Sequence, residues 1–316
     1  MTALADEEPP QADLLPAPRV TLGLVTYRQE PFIQQALRSV LAQTYTPLEI
    51  VVCDDASPDR TFELAREEAD AYTGGHTVKL HRNASNLGIG NFNRLMELAT
   101  GDFIVIAHGD DLSVPERVAR LVAAWRRTGA SMVTSNALTI DAWGQPLGHT
   151  VPPGAHPSNA LLDIAAGGWN PTLWGAVLAW HRDVFDVFGP LDPERSAVTT
   201  DWILPFRAAA LRGIHYVDQP LVKIRQHPGQ KQRRYITDTE NPLANTESLS
   251  ASHMIQFLYM FETMDTVKAR ALQPTAVLGA VYGELLQSVF REGFRWRTAR
   301  NRLFSSGARA RWLAVD

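Results

Sequence analysis

The chain has 316 residues, 45% hydrophobic and 20% charged, which is globular composition with room for one large or two modest domains and ample apolar surface for a core. Its net charge of −4 argues against a general nucleic-acid-binding surface, and a single cysteine, Cys53, excludes an internal disulfide. That thiol lies in the apolar run LEIVVCDD and reads as a buried structural residue of a protein in a reducing compartment.

The opening stretch, MTALADEEPPQADLLPAPR, is acidic and proline-rich and reads as a disordered tail over residues 1–18, not a signal peptide. No window approaches the roughly 20 apolar residues that span a bilayer, so a cytoplasmic protein is expected. From Val20 strand-like and helix-like segments alternate. VTLGLVTY is followed by a helix in which Ile33, Ala36, Leu37, Val40 and Leu41 share one apolar face. LEIVVCDD is a second buried strand, and a helix with Phe62, Ala65, Ala69 and Tyr72 on one side follows. The order continues with strand TVKLHRN, helix NFNRLMELAT, strand DFIVIAH, helix PERVARLVAAWRRTG and strand SMVTSNALTIDA. The pattern loosens from Gly144 to Pro171. It returns with strand GAVLAWH, helices RDVFDVFG and DWILPFRAAALRG, and strand LVKIRQH; from about Ala244 it is helical. Near-continuous apolar strands alternating with helices predict an α/β sheet covered on both faces, with ligands at its C-terminal strand edge.

The polar residues that follow the strands, Tyr27, Asp54, Asp55, Asp110 and Asp111, converge on that edge. In VVCDDASPDRT, Ser57 and Asp59 suit turn formation and helix capping, while a carboxylate at the strand end suits hydrogen bonds from a base N–H and a ribose hydroxyl. In HGDDLSVPER, Ser113 to Glu116 read as a helix cap with Pro115 near the first positions. The cap leaves Asp110 and Asp111 unexplained. Hard carboxylate oxygens there suit Mg2+ or Mn2+ holding a diphosphate. His108 is a further ligand, a ribose contact or a satisfied edge residue. Asp201, opening a helical pattern, is either an N-cap or a general base. The chain lacks the glycine-rich fingerprints of dinucleotide-binding proteins and P-loop enzymes, a Cys/His zinc cluster and the GxSxG elbow of hydrolases.

Residues 20–61 and NASNLGIGNFNRLMELATGDFIVIAHGDDLSVPERV resemble the opening of family 2 glycosyltransferases, and VTTDWILPFRAAALRG and DQPLVKIRQHPG resemble the family's later motifs. The likeness runs in order from Val20 to Gly229. It implies a GT-A fold, Rossmann-like with a mostly parallel sheet and helices on both faces, over residues 19–243, with a C-terminal helical extension over 244–316. Residues 19–142 would form the nucleotide-sugar half and 143–243 the acceptor half. By position, Val25, Thr26 and Tyr27 would line the nucleotide pocket and Asp55, with Asp54 beside it, would bind base or ribose. Asn91 and Asn93 would approach the diphosphate. Asp110 would be the metal-binding acid with Asp111 beside it, Asp201 the catalytic base, and His227 would close over the diphosphate or metal. Two departures stand out: His108 occupies the place of the family's first acid, and Thr200 precedes the base where an acid is common.

The implied activity is metal-dependent (Mn2+ or Mg2+) inverting transfer from a nucleoside-diphosphate sugar to a glycan or polyprenyl-linked acceptor, as in bacterial surface-polysaccharide and O-antigen synthesis. Trp169, Trp174 and Trp202 are candidates for acceptor stacking or for core packing. The alternative is a non-catalytic nucleotide-sugar or glycan-binding protein on the same fold. The segment Arg291 to Asp316 holds seven Arg against two acids, with Phe294, Trp296, Phe304 and Trp312 interspersed. It reads as solvated or packing helices, as an interfacial segment on the cytoplasmic face of the membrane, or as a homodimer interface.

Overall fold

A computed structural model describes residues 18–151, 160–167, 171–193, 200–229 and 242–305. The expected N-terminal tail, Trp169 and Trp312 lie outside these residues, as do the side chains of Trp296 and Phe304.

Four parallel strands form one half of the sheet: β1 (Val20–Thr26), β2 (Leu48–Asp54), β3 (Thr77–Arg82) and β4 (Phe103–His108). Between them run α1 (Ile33–Leu41), α2 (Thr61–Asp70) and α3 (Gly90–Leu98). After β4 come β5 (Leu112–Ser113), α4 (Arg117–Thr128), β6 (Met132–Ile140), β7 (Pro146–His149), α5 (Leu161–Ala165), β8 (Ala179–His181) and α6 (Asp183–Asp186). The chain continues with α7 (Thr200–Leu211), β9 (Ile214–Arg225), α8 (Pro242–Ala269) and α9 (Thr275–Ser305). The sheet order is β3-β2-β1-β4-β8-β6-β9-β5, with β7 paired to β6. β6 and β9 run parallel to each other, while β8 is antiparallel to both β4 and β6.

Strands buried on both faces explain the near-continuous apolar runs. On one face Leu22, Leu24 and Val105 pack with Ile33 and Leu37 of α1 and Leu121 of α4. On the other Val51, Cys53, Ile104 and Ile106 pack with Leu95 of α3, Ile203 and Phe206 of α7, and Met260 and Leu285 of the C-terminal helices.

Five local expectations are corrected. Ser113 does not cap a helix: it lies in β5, paired antiparallel with Val222 of β9, and α4 begins only at Arg117 with no side-chain cap. Non-local pairing claims the backbone that a cap would need, and the Ser113 N–H donates to Ser39 Oγ (3.0 Å). Residues Gly175–Val177 form a 3-10 turn, leaving only Ala179–His181 as strand. The loose region after Gly144 contains β7 and α5, and α6 is a single turn. β9 starts at Ile214, well before the strand read at Leu221. Its register against β6 shifts where Pro220, which has no N–H, meets Asn136.

Candidate active site

The C-terminal ends of β1, β2 and β4 are tied together by backbone bonds. Asp55 N–H donates to Thr26 O (3.0 Å) and Gly109 N–H to Val25 O (3.1 Å). Val25 and Thr26 are buried, and Tyr27 emerges 38% exposed with the Arg28 guanidinium 5.2 Å from its ring centroid. A Cβ on Gly109 would lie 2.5 Å from Thr26 Oγ1, so only glycine lets the acidic turn come this close to β1.

The residues expected around the nucleotide carry internal bonds. Both carboxylate oxygens of the fully buried Asp54 accept from Ser57 N–H (3.0 and 3.1 Å), and burial raises its pKa above the usual range. Asp55 accepts from Asn83 Nδ2, Leu87 N–H and Gly88 N–H, each at 2.8 Å. Asn91 donates to Cys53 O (3.1 Å) and accepts from Asn83 (2.9 Å). The Asn93 amide brackets the Leu191 peptide with two 2.8 Å bonds. These four side chains build and hold the wall after β2 and the entry to α3.

The acid pair sits in the turn between β4 and β5. His108, Asp110 and Asp111 each offer a ligand atom, all within 4.8 Å of one another, and His108 Nδ1 is 3.8 Å from Asp111 Oδ2. Two carboxylates and one imidazole fit Mn2+ well and Mg2+ less closely. Burial raises the Asp111 pKa well above the usual carboxylate range, and the Asp110 charge adds to the effect; burial lowers that of His108. Two buried guanidiniums compensate. Arg117 donates to Ser113 Oγ (3.0 Å), Ile106 O (2.7 Å) and Ala176 O (2.8 Å), and burial lowers its pKa to about 10. Arg225 N–H donates to Asp111 Oδ1 (2.9 Å), while its side chain donates to Asp110 O (2.9 Å), Ala142 O (2.9 Å) and Gln35 Oε1 (3.0 Å). His227 accepts from Gly229 N–H at Nδ1 (3.2 Å), so its Nε2 carries the proton and donates to Asp110 Oδ2 (3.1 Å). Phe32 of the β1–α1 connection packs on both residues, 4.6 Å from the His227 ring and 5.0 Å from the Arg225 guanidinium.

Asp201 lies in the first turn of α7, half-buried. Burial pushes its carboxyl up to about 7, against hydrogen bonds from Gly175 N–H and the Thr200 hydroxyl. A Cβ on Gly175 would lie 2.8 Å from Asp201 Oδ1 and 3.5 Å from His108 Cε1. One glycine thus separates the candidate base from the candidate metal cluster. Trp174 is half-buried against Ala137, Val177 and Val222. Trp202 stacks on His253 (5.0 Å) and meets Phe257 edge-on (5.4 Å), which is core packing against α8.

Sequence reasoning missed Arg117 and gave Arg225 no role. Arg117 stands at i, i+4, i+7 with buried Leu121 and Ala124, so a cation on the apolar face of α4 was the available signal.

Residues 21–186 match the model of the family described as Glycosyl transferase family 2. EpsE of Bacillus subtilis (strain 168), named as a glycosyltransferase, is 33% identical over 129 residues, 40% of this chain and 46% of that protein. The succinoglycan biosynthesis protein ExoO of Rhizobium meliloti (strain 1021) is 31% identical over 144 residues, 44% of this chain and 38% of its own length. Each match spans less than half of the relative. Among solved structures, the mannosyltransferase PcManGT of Pyrobaculum calidifontis, in complex with GDP-Man and Mn2+, superposes with a TM-score of 0.57 at 20% identity, over 92% of this chain and 76% of that one.

Proposed function

Because this chain belongs to glycosyl transferase family 2 and has a GT-A fold with a C-terminal helical extension, we propose that it is an inverting glycosyltransferase using a nucleoside-diphosphate sugar. The observation that carries this reading is the meeting of His108, Asp110 and Asp111 with Asp201 at one sheet edge, divided only by Gly175. Residues 19–142 form the donor half, 143–243 the acceptor half and 244–316 the extension. Val25, Thr26 and Tyr27 line the nucleotide, and Asp54, Asp55, Asn91 and Asn93 shape its wall through the loops they hold.

Asp110 and Asp111, with His108 as a third ligand, would hold Mn2+ or Mg2+, whose Lewis acidity neutralises charge on the departing diphosphate. His227 orients the Asp110 carboxylate through its Nε2–H. Asp201 accepts the proton of the acceptor hydroxyl as that oxygen bonds to the anomeric carbon and the bond to the diphosphate breaks on the opposite face. A sugar hydroxyl is far less acidic than any carboxyl, so proton transfer accompanies bond formation. A carboxyl near 7 is a better-matched base than one at the usual ~3.9. In-line positioning of the two substrates supplies much of the remaining acceleration.

The acceptor in this reading is a glycan or polyprenyl-linked sugar of a surface polysaccharide, of the O-antigen type; the succinoglycan-biosynthesis name of the ExoO relative supports polysaccharide synthesis and no more. The extension would rest on the cytoplasmic face of the membrane. Leu286, Phe290 (74% exposed) and Phe294 (71% exposed) recur every fourth residue on α9, beside the Arg-rich run. A second copy brought against that run in parallel would meet like charge, which favours anionic lipid over a homodimer. Among the described residues no helix is long and apolar enough to cross a membrane.

The test is release of nucleoside diphosphate from a panel of UDP-, GDP- and dTDP-sugars with Mn2+, measured for the full chain. Turnover should appear with one donor and disappear in Asp110→Ala. Binding of a donor without turnover, even with lipid acceptors supplied, would instead select the non-catalytic nucleotide-sugar-binding reading, which His108 at the usual acid position favours.

A further inference from the structure

We propose that Trp143, at the tip of the β6–β7 hairpin, is a carbohydrate platform on which a sugar ring of the acceptor glycan stacks, a role that rests on the transferase reading above. Trp143 is 85% exposed, the most exposed large apolar side chain among the described residues. Its backbone is nevertheless fixed. Asp141 Oδ1 accepts from Trp143 N–H (2.9 Å) and Gln145 N–H (2.8 Å). Asp141 N–H donates to Gln145 O (2.9 Å), Gly144 N–H donates to Asp141 O (3.1 Å), and Gly144, at φ +89°, lets the chain reverse. An aromatic side chain with two rotatable bonds on a rigid tip loses little entropy when it binds.

The tip is also wired to the reaction centre. Arg225 donates from Nη1 to Ala142 O and from Nε to Asp110 O, both at 2.9 Å, so one guanidinium joins the residue before Trp143 to the metal-cluster backbone. The backbone continues the link: Gln226 N–H donates to Ile140 O (2.7 Å), just ahead of His227. Sheet order decides which substrate the tip meets. β2 and β1 lie on one side of β4, and β6 lies on the other, beyond β8. The donor wall is on the first side, so the hairpin flanks the acceptor's approach. An indole face matches the C–H face of a pyranose, whose hydroxyls project outward to water. Two other tryptophans among the described residues are committed elsewhere: Trp180 is fully buried and Trp202 is stacked on His253.

The experiment uses the full chain, labelled and applied to an array of mono- to tetrasaccharides built from glucose, galactose, N-acetylglucosamine and rhamnose. The wild type should be retained on at least one sugar class. Trp143→Ala should lose tenfold or more of that binding and Trp143→Phe an intermediate amount, with unchanged melting temperature. Retention of nothing by the wild type, or equal retention by Trp143→Ala, overturns the proposal. Should Trp143→Ala melt lower, Trp143→Phe alone decides, and equal binding by it overturns the platform. Donor hydrolysis measured on the same preparations separates the two readings. A wild type that binds sugar through Trp143 but hydrolyses no donor keeps the platform and sinks the transferase.

Discussion

Among the described residues Asp201 receives hydrogen bonds from Gly175 N–H and Thr200, the latter at 3.4 Å, and these do not offset the cost of burying its charge. Its carboxyl therefore rises to about 7, with two consequences of defined sign. A base must be ionised, so kcat/KM for transfer should climb with pH through an apparent pKa near 7. Asp201→Asn should lower kcat by about 10²–10⁴ and abolish that limb. Between the unfolded value of ~3.9 and about 7 the folded state holds a proton that the unfolded state has lost. Folding stability contributed by this group therefore falls as pH rises across that window, and above it the Asn variant should melt higher than wild type. A pH–rate profile with no inflection between 6 and 8 would remove Asp201 from the role of base.

At the level of elements, α4 is the keystone of the acid turn because its first residue reaches under three other segments. Arg117 links β4 through Ile106 O, β5 through Ser113 Oγ and the 3-10 turn through Ala176 O. Arg117→Met should cost about 2 kcal/mol or more in urea unfolding, since buried acceptors lose their donor and Asp111 loses a compensating charge. Destabilisation under about 0.5 kcal/mol, as for an ordinary surface substitution, would show that water replaces those bonds. The same elements mark what sequence reading can reach. β1, β2 and β4 were legible because burial on both faces writes unbroken apolar runs, and α1 because its face repeats Ile33, Ala36, Leu37, Val40. Ser113 misled because SVPE is a sound local cap, and nothing nearby encodes the pairing with Val222. The first half of β9 was hidden by Asp218 to Pro220, polar and proline residues that the register shift against Asn136 accommodates. Asp110 and Asp111 were visible as chemistry, but their protein counter-charges come from the start of α4 and the end of β9, which only folding unites.

For the whole molecule, the C-terminal extension does two jobs. Met260, Met264, Val281 and Leu285 complete the core on one sheet face, while Leu286, Phe290 and Phe294 face outward. In flotation assays the full chain should rise with phosphatidylglycerol vesicles at low salt. A Phe290→Ser/Phe294→Ser variant should lose most of that association, and phosphatidylcholine alone should not support it. Failure to float with the anionic vesicles would leave the stripe without its lipid. The Arg225 clamp bears on how the molecule comes into being. Its bonds to Asp111 and Asp110 join positions 114 and 115 residues apart, among the longest-range polar contacts holding the acid turn. Chain-closure cost makes such contacts late arrivals in folding, and during synthesis they cannot form until β9 has left the ribosome. The loop after β2 differs: the side-chain bonds that Asp54, Asp55 and Asn91 make all lie within residues 53–91 and can form while the chain is still growing. The acid pair must wait for Arg225, so a growing chain can hold this loop while Asp110 and Asp111 still lack part of their compensating charge.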